Sequence, residues 1–203
     1  MIVHPVIPSM AAALLLLLAM PVLLPLVIGI QAVSPGPIFF RQPRVGKYGQ
    51  IFRMWKLRTM VVNAEEQLRD LSLRDRAAAA EWEAYGRLAD DPRIARPFGR
   101  WARRFSIDEL PQLFNVTAGD MAFVGPRPLL PAQVAELLPR TRGLREAVAP
   151  GLTGLWQVCG RSETTLKQML RLDLLYIRRR SLFLDLYILA RTPAAVISAR
   201  GAF

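Results

Sequence analysis

The first forty residues contain no Lys, Arg, Asp or Glu, and residues 6–33 are apolar apart from Ser9 and Gln31. About 25 such residues in one straight helix would cross the roughly 30 Å hydrocarbon core of a bilayer. A secretory signal would open on a basic stretch and end at a small-residue cleavage site. This segment has no side-chain charge at its start and is too long, so it reads as a retained membrane element. Pro21 and Pro25 lie near its middle, and a proline removes a backbone donor and crowds the preceding turn. A sharp kink would leave two limbs of about a dozen residues, roughly 18 Å each, too short to span. Two topologies are open: a span with Met1 outside and the basic remainder inside, by the positive-inside rule, or a re-entrant hairpin with both ends in the cytoplasm. Kinked transmembrane helices are common, so the residues alone favour the span.

The formal charge of +11 is carried entirely by residues 41–203. Residues 41–58 hold six basic side chains and no acid, and the first acid is Glu65. A cationic surface beside an apolar segment attracts anionic headgroups, worth about 1 kcal/mol per Lys or Arg. That favours membrane lipid over nucleic acid, for which the chain offers no zinc-ligand spacing, RNP-like aromatic pattern or basic zipper. The single cysteine, Cys159, excludes an internal disulfide and a structural zinc cluster and fits a reducing compartment. At 203 residues the chain can bury one real core beside a membrane element.

Ser34-Pro35-Gly36-Pro37 ends the apolar segment. Residues 51–60 alternate as a short strand, and residues 63–88, rich in Ala, Glu, Leu and Arg, read as one surface helix capped by Asn63. Asp90-Asp91-Pro92 superficially resembles a metal site, but Asp before Pro more often marks a turn. Residues 121–124 suit a buried strand, 131–138 a short helix, and 163–180 and 182–199 two closing helices. The second of these carries Phe183, Leu186, Tyr187, Ile188 and Leu189, so one side can rest on lipid or pack on the core.

The chemistry concentrates in Asp108-Glu109-Leu110-Pro111-Gln112-Leu113, Asn115, Gly119-Asp120-Met121 and Val124-Gly125-Pro126-Arg127-Pro128, just past Arg100, Arg103 and Arg104. A paired Asp-Glu can supply one nucleophile or base and one hard oxygen ligand for magnesium, while arginines grip phosphoryl oxygens in a bidentate fork. The plainer reading is helix capping, with Ser106 as N-cap and Glu109 closing a capping box. Both can hold, since a helix N-terminus also welcomes a phosphate.

These blocks, with Gly36-Pro37-Ile38-Phe39-Phe40-Arg41-Gln42, Arg44-Val45-Gly46, Lys56-Leu57-Arg58-Thr59-Met60 and Pro150-Gly151-Leu152-Thr153-Gly154, resemble the bacterial sugar transferases, monotopic polyprenyl-phosphate phosphoglycosyl transferases. The likeness runs from about residue 10 to the C-terminus and covers the catalytic unit alone. It implies an α+β fold: a re-entrant membrane helix over residues 1–34, broken at Pro21, and a compact, mainly helical cytosolic domain with short strands over 35–203. It thereby sets aside the span. It implies transfer of a sugar-1-phosphate from a UDP-sugar to undecaprenyl phosphate at the cytoplasmic face of the inner membrane, with release of UMP and with Mg2+ as cofactor.

By the same matching, Asp108 is the nucleophile and Glu109 the magnesium ligand. Lys56, Arg103 and Arg127 become phosphate contacts, with Arg58, Gln157 and Arg161 as further candidates. Gly154-Leu155-Trp156-Gln157-Val158, Glu81-Trp82 and Leu88-Ala89-Asp90-Asp91-Pro92-Arg93 look most like members that start exopolysaccharide or O-antigen repeats with galactose; glucose or an N-acetylated hexosamine are the alternatives. The resemblance is compatible with a homodimer. One departure stands out: members usually begin the membrane helix with a basic pair and a nearby acid, and residues 4–9 have neither.

Two other classes of function compete. A membrane-anchored basic binding module would need only charge and apolar surface, and its binding would fall steeply with salt. A glycoside hydrolase needs two carboxyls flanking the sugar about 5 Å or more apart, and neighbours in one turn point in different directions.

Overall fold

A computed structural model describes residues 6–85, 88, 90–159 and 165–198. Helix α1 (Val6–Val33) is followed by a hairpin of β1 (Phe39–Val45) and β2 (Ile51–Leu57). Two surface helices come next, α2 (Ala64–Arg74) and α3 (Arg76–Tyr85), then α4 (Phe98–Arg104). A 3-10 turn (Ile107–Gln112) runs straight into α5 (Leu113–Ala118). Strand β3 (Ala122–Val124) then leads to α6 (Pro131–Ala135), α7 (Pro139–Glu146) and β4 (Gly151–Thr153), and the chain closes with α8 (Leu155–Cys159), α9 (Leu166–Arg179) and α10 (Leu182–Ile197). Strands β1 and β2 pair antiparallel, while β3 and β4 form a separate parallel pair. The α+β class with short strands in a mainly helical domain is as expected.

Helix α1 runs on through Pro21, where a break was expected, and through Pro25, because a proline can bend a helix without ending it. Apolar side chains between Met10 and Ile28 are exposed around most of its circumference, more than a water-facing surface normally carries. The helix is also fastened to the domain at both ends. Ser9 Oγ donates to the Thr117 carbonyl at 3.1 Å, and Ala12 is buried with Phe52, Met54, Leu113 and Val116. At the far end Leu26 and Ile30 pack with Leu57, Ala95 and Ala102. Ser9 and Ile30 would stand about 30 Å apart on a straight helix, yet both rest on one domain. A perpendicular span would drag that charged domain into hydrocarbon. The packing therefore suits a monotopic anchor lodged against one face of the bilayer.

The helix expected over residues 63–88 is two. Asp75 leaves helical geometry, and its Oδ1 accepts from the backbone N–H groups of Ala77 (2.9 Å) and Ala78 (3.1 Å), capping α3. Asn63 precedes α2 without a side-chain capping bond. Its Oδ1 instead accepts from Gln67 Nε2 at 3.2 Å. Asp91 is a turn residue, as expected: its carboxylate takes the Arg93 backbone N–H at 3.0 Å and the Arg93 guanidinium at 2.6 and 2.8 Å.

The parallel pair explains two glycines. A Cβ on Gly151 would lie 2.1 Å from the Gly125 nitrogen, and one on Gly125 would lie 2.6 Å from the Gly151 nitrogen. Neither position admits a side chain while the two backbones stay this close, so Val124-Gly125 and Pro150-Gly151 bring the Pro126-Arg127-Pro128 turn against β4.

Candidate active site

Strand β2 carries one half of the site. Phe52 and Met54 point inward by the two-residue alternation of a strand, and Lys56 continues that row at the site's edge. The other half is held to β2 by Asn115. Its Oδ1 accepts from the Trp55 backbone N–H at 3.0 Å, and its Nδ2 donates to the Arg53 carbonyl (2.9 Å) and to Asp120 Oδ2 (3.0 Å). One buried amide thus occupies the open edge of the strand and sets the 3-10 turn beside Lys56.

Asp108 and Glu109 occupy that turn, where Lys56 Nζ lies 3.0 Å from Glu109 Oε1 and 3.7 Å from Asp108 Oδ2. The expected capping box is not formed. Ser106 sits in the left-handed region at φ 52° and makes no side-chain capping bond; Glu109 instead donates its backbone N–H to the Ser106 carbonyl at 3.1 Å. An N-cap residue normally has extended geometry, and Pro111 keeps the turn from becoming a regular α-helix. Both carboxylates of the pair instead meet Lys56.

Asp108 is buried. Burial pushes its carboxyl up to about 6; Lys56 and Arg103 pull it down, and the neighbouring Glu109 charge pushes it up. Arg103, at the end of α4, is thus within electrostatic reach of Asp108. Arg127, Glu109 and Gln157 share the wall of a small pocket with Met54, Gln112 and Pro128. The Arg127 guanidinium lies 5.0 Å over the Trp156 ring, a cation–π contact that fixes its direction. Gln157 donates to the Leu152 carbonyl at 3.1 Å. Arg58 is placed elsewhere, donating to the carbonyls of Ser34 and Pro35 in the loop after α1. Arg161 lies outside the described residues.

Three groups hold the Arg127 turn; only Arg44 lies in one of the sequence blocks named above, and nothing in that block foretells its part in holding the turn. Arg44 is buried and donates to the Pro128 carbonyl at 3.0 Å and to Gln42 Oε1 at 2.6 Å. Burial and then the Arg127 charge lower its guanidinium to about 10, partly offset by Glu109. Arg145 on α7 donates to the Arg127 carbonyl at 2.5 Å and to Asp173 Oδ2 at 2.5 Å, and the Arg127 backbone N–H donates to the same Asp173 oxygen at 3.3 Å. The Arg127 peptide is thus gripped at both its N–H and its C=O by a buried ion pair. No local pattern announces these contacts, since apart from the Arg44–Gln42 bond the partners are 18 to 84 residues apart in sequence.

Two ionisable oxygen donors beside Lys56, Arg103, Arg127 and Arg44 form a cation-rich cradle suited to a polyanion. Asp108 meets the cradle from burial, and Glu109 meets it at Lys56.

The family model described as bacterial sugar transferase matches residues 2–199. An undecaprenyl-phosphate galactose phosphotransferase of Salmonella typhimurium is 40% identical over 83% of the chain, and the match spans 35% of that protein. The exopolysaccharide production protein ExoY of Sinorhizobium fredii is 38% identical over 94% of the chain and 84% of its own length. A UDP-glucose:undecaprenyl-phosphate glucose-1-phosphate transferase of Xanthomonas campestris pv. campestris is 40% identical over 90% of the chain and 36% of its length. The chain therefore spans about a third of two of these relatives and most of the third.

Proposed function

Because the chain belongs to the bacterial sugar transferase family, we propose that it transfers a hexose-1-phosphate from a UDP-hexose to undecaprenyl phosphate and releases UMP. The observation that carries the reading is the Asp108-Glu109 pair held by Lys56 and sharing a cationic cradle with Arg127. The names of the Salmonella and Xanthomonas relatives supply the substrate class. They divide between galactose and glucose, so UDP-galactose and UDP-glucose are the donors proposed, with a UDP-N-acetylhexosamine the alternative.

In the proposed course, an Asp108 carboxylate oxygen attacks the β-phosphorus of the donor. The bond from that phosphorus to the oxygen bridging it to the α-phosphorus breaks, and UMP leaves with the electron pair. A phosphate oxygen of the lipid then attacks the same phosphorus, and the acyl-phosphate bond to Asp108 breaks. A carboxylate is a weak nucleophile, so the surrounding cations must draw charge from the phosphoryl oxygens and from UMP. Arg127 and Lys56 would bind the diphosphate, and Arg103 would keep Asp108 ionised.

Magnesium fits the donor set. It is commonly held by one or two carboxylates together with substrate phosphates, and among the described residues no group of three or more His, Cys, Asp or Glu could hold a metal alone. Glu109 would hold the ion, which when bound supplies Lewis-acid stabilisation of phosphoryl charge.

The test is radiolabel transfer from UDP-galactose, UDP-glucose and UDP-N-acetylhexosamines to undecaprenyl phosphate in detergent with magnesium. Label in the lipid phase from one hexose donor is the expected result; lipid label from no donor overturns the reading. Arg127→Ala should cost several kcal/mol of transition-state stabilisation at most, on the scale of lost hydrogen bonds from a charged donor. Unchanged kcat/KM in that variant would remove its phosphate role.

The pH dependence comes from Asp108. Only the ionised carboxyl attacks, so with a pKa of about 6 the rate should be level above pH 7 and fall toward tenfold per unit well below pH 6. Magnesium held at Glu109 would shift that limb to lower pH. A limb centred above pH 7 in a pH–rate profile would assign the titration to another group.

A further inference from the structure

Beside the polar pocket lies a larger cavity that the proposed chemistry does not use. Its volume is about 270 Å³, and its apolar wall includes Leu15 of α1, Leu110 of the 3-10 turn, Phe123 of β3 and Leu189, Ala195 and Val196 of α10. Glu109, Leu152 and Gln157 belong to the walls of both cavities. The cleft therefore adjoins the carboxylate on one side and the membrane helix on the other. Leu15 and Leu189 remain 46% and 40% exposed, so its outer edge is open where the apolar surface of α1 begins.

We propose that this cleft between α1 and α10 seats the first isoprene units of the lipid acceptor, with their phosphate passing the shared wall at Gln157 into the adjoining pocket toward Arg127. The inference rests on the function proposed above and adds where the acceptor lies. An occupant must be apolar along most of its length and anionic at one end, and it must enter from the bilayer, because the open edge is continuous with the lipid-facing surface of α1. A polyprenyl phosphate meets all three requirements. The sugar of the donor suits the cleft less: beyond the shared wall the hydroxyls of Thr153 and Thr192 already bond each other at 2.8 Å, so sugar hydroxyls would meet mainly leucine, phenylalanine and valine, at the cost of unpaired buried polar groups. The placement also gives α10 a role. Its apolar residues form the wall facing α1, so the acceptor chain is held between the anchor and the end of the domain.

The seat predicts a separation of the two half-reactions. Exchange of labelled UMP into UDP-hexose needs only the donor site, whereas full transfer also needs the cleft. Ala195→Trp, which fills the cleft, should leave UMP exchange within about twofold of wild type and raise the KM for undecaprenyl phosphate in mixed micelles tenfold or more. Leu189→Trp, at the open edge, should act in the same direction and serves if Ala195→Trp fails to retain exchange. Normal exchange with an unchanged acceptor KM in a folded variant would overturn the seat. So would loss of vesicle binding without any change in acceptor KM in detergent, which would assign the cleft to bulk lipid. Failure of the wild-type enzyme to exchange UMP under conditions that support no lipid transfer would instead strike at the proposed function, and the seat would fall with it.

Discussion

Asp108→Asn should abolish sugar-phosphate transfer, lowering kcat by on the order of 10⁴-fold to 10⁶-fold as for other enzymes deprived of their nucleophile, without costing stability at pH 7.5. The second half of this expectation comes from the site's electrostatics. Asp108 titrates near 6 in the folded chain against an ordinary 3.8, chiefly because burial opposes its charge. The folded state thus holds its proton more tightly than the unfolded state does. Stability declines as pH rises from about 4 to about 6, and above pH 6 the full penalty of the buried charge is present. Asparagine carries no such charge, and Lys56 keeps Glu109 as its partner at 3.0 Å. The variant should therefore unfold in urea at pH 7.5 no earlier than wild type. An inactive variant that is also several kcal/mol less stable would recast Asp108 as a structural residue; a fully active one would remove the mechanism.

The largest loss of stability is expected at the other end of the site. Arg145→Ala leaves Asp173 without its buried cation, and Asp173 is fully buried. Breaking a buried pair by removing one partner costs about 3–5 kcal/mol, because the remaining charge stays desolvated. Here the loss would also free the Arg127 carbonyl, so the turn carrying the Arg127 guanidinium would lose one of its holds. Urea unfolding should show the midpoint falling by an amount equivalent to a few kcal/mol. Replacing both partners together, with Arg145→Met and Asp173→Leu, should recover much of the stability, since no charge is then left buried. It should not restore kcat/KM, because the Arg127 peptide remains unheld. A double variant with normal kinetics would show that the pair serves folding alone.

How legible each feature was in the sequence depended on the range of the interactions that make it. The membrane helix, the β2 strand and the Asp-Glu pair are local signals: an uncharged run, a two-residue alternation, adjacent acids. The division of residues 63–88 into α2 and α3 depended on one carboxylate, Asp75, turning back to cap the second helix, a choice that helix propensity does not register. The capping box at Ser106 was plausible from composition, but the backbone there is left-handed, and nothing in the spacing announces that. Helices α4 and α7 are short and are fixed by their neighbours, with Ala102 and Arg145 buried. Least legible were Arg44, Arg145 and Asp173. Charged side chains are usually solvated, and only the tertiary fold shows that these three are buried around one turn. The resemblance to a family supplied the roles proposed for Asp108 and Arg127, while the packing supplied the reason Arg127 points where it does.

The proposed mechanism stands or falls on a covalent bond to Asp108. The most direct measurement is the intact mass of the purified enzyme after incubation with magnesium and the accepted UDP-hexose in the absence of lipid acceptor, followed by peptide mapping. The mechanism predicts an adduct with the mass of one hexose phosphate less water, located on Asp108, absent from Asp108→Asn and discharged when undecaprenyl phosphate is added. Full turnover by an enzyme that accumulates no adduct under rapid quenching, or an adduct carried by Glu109, would contradict it.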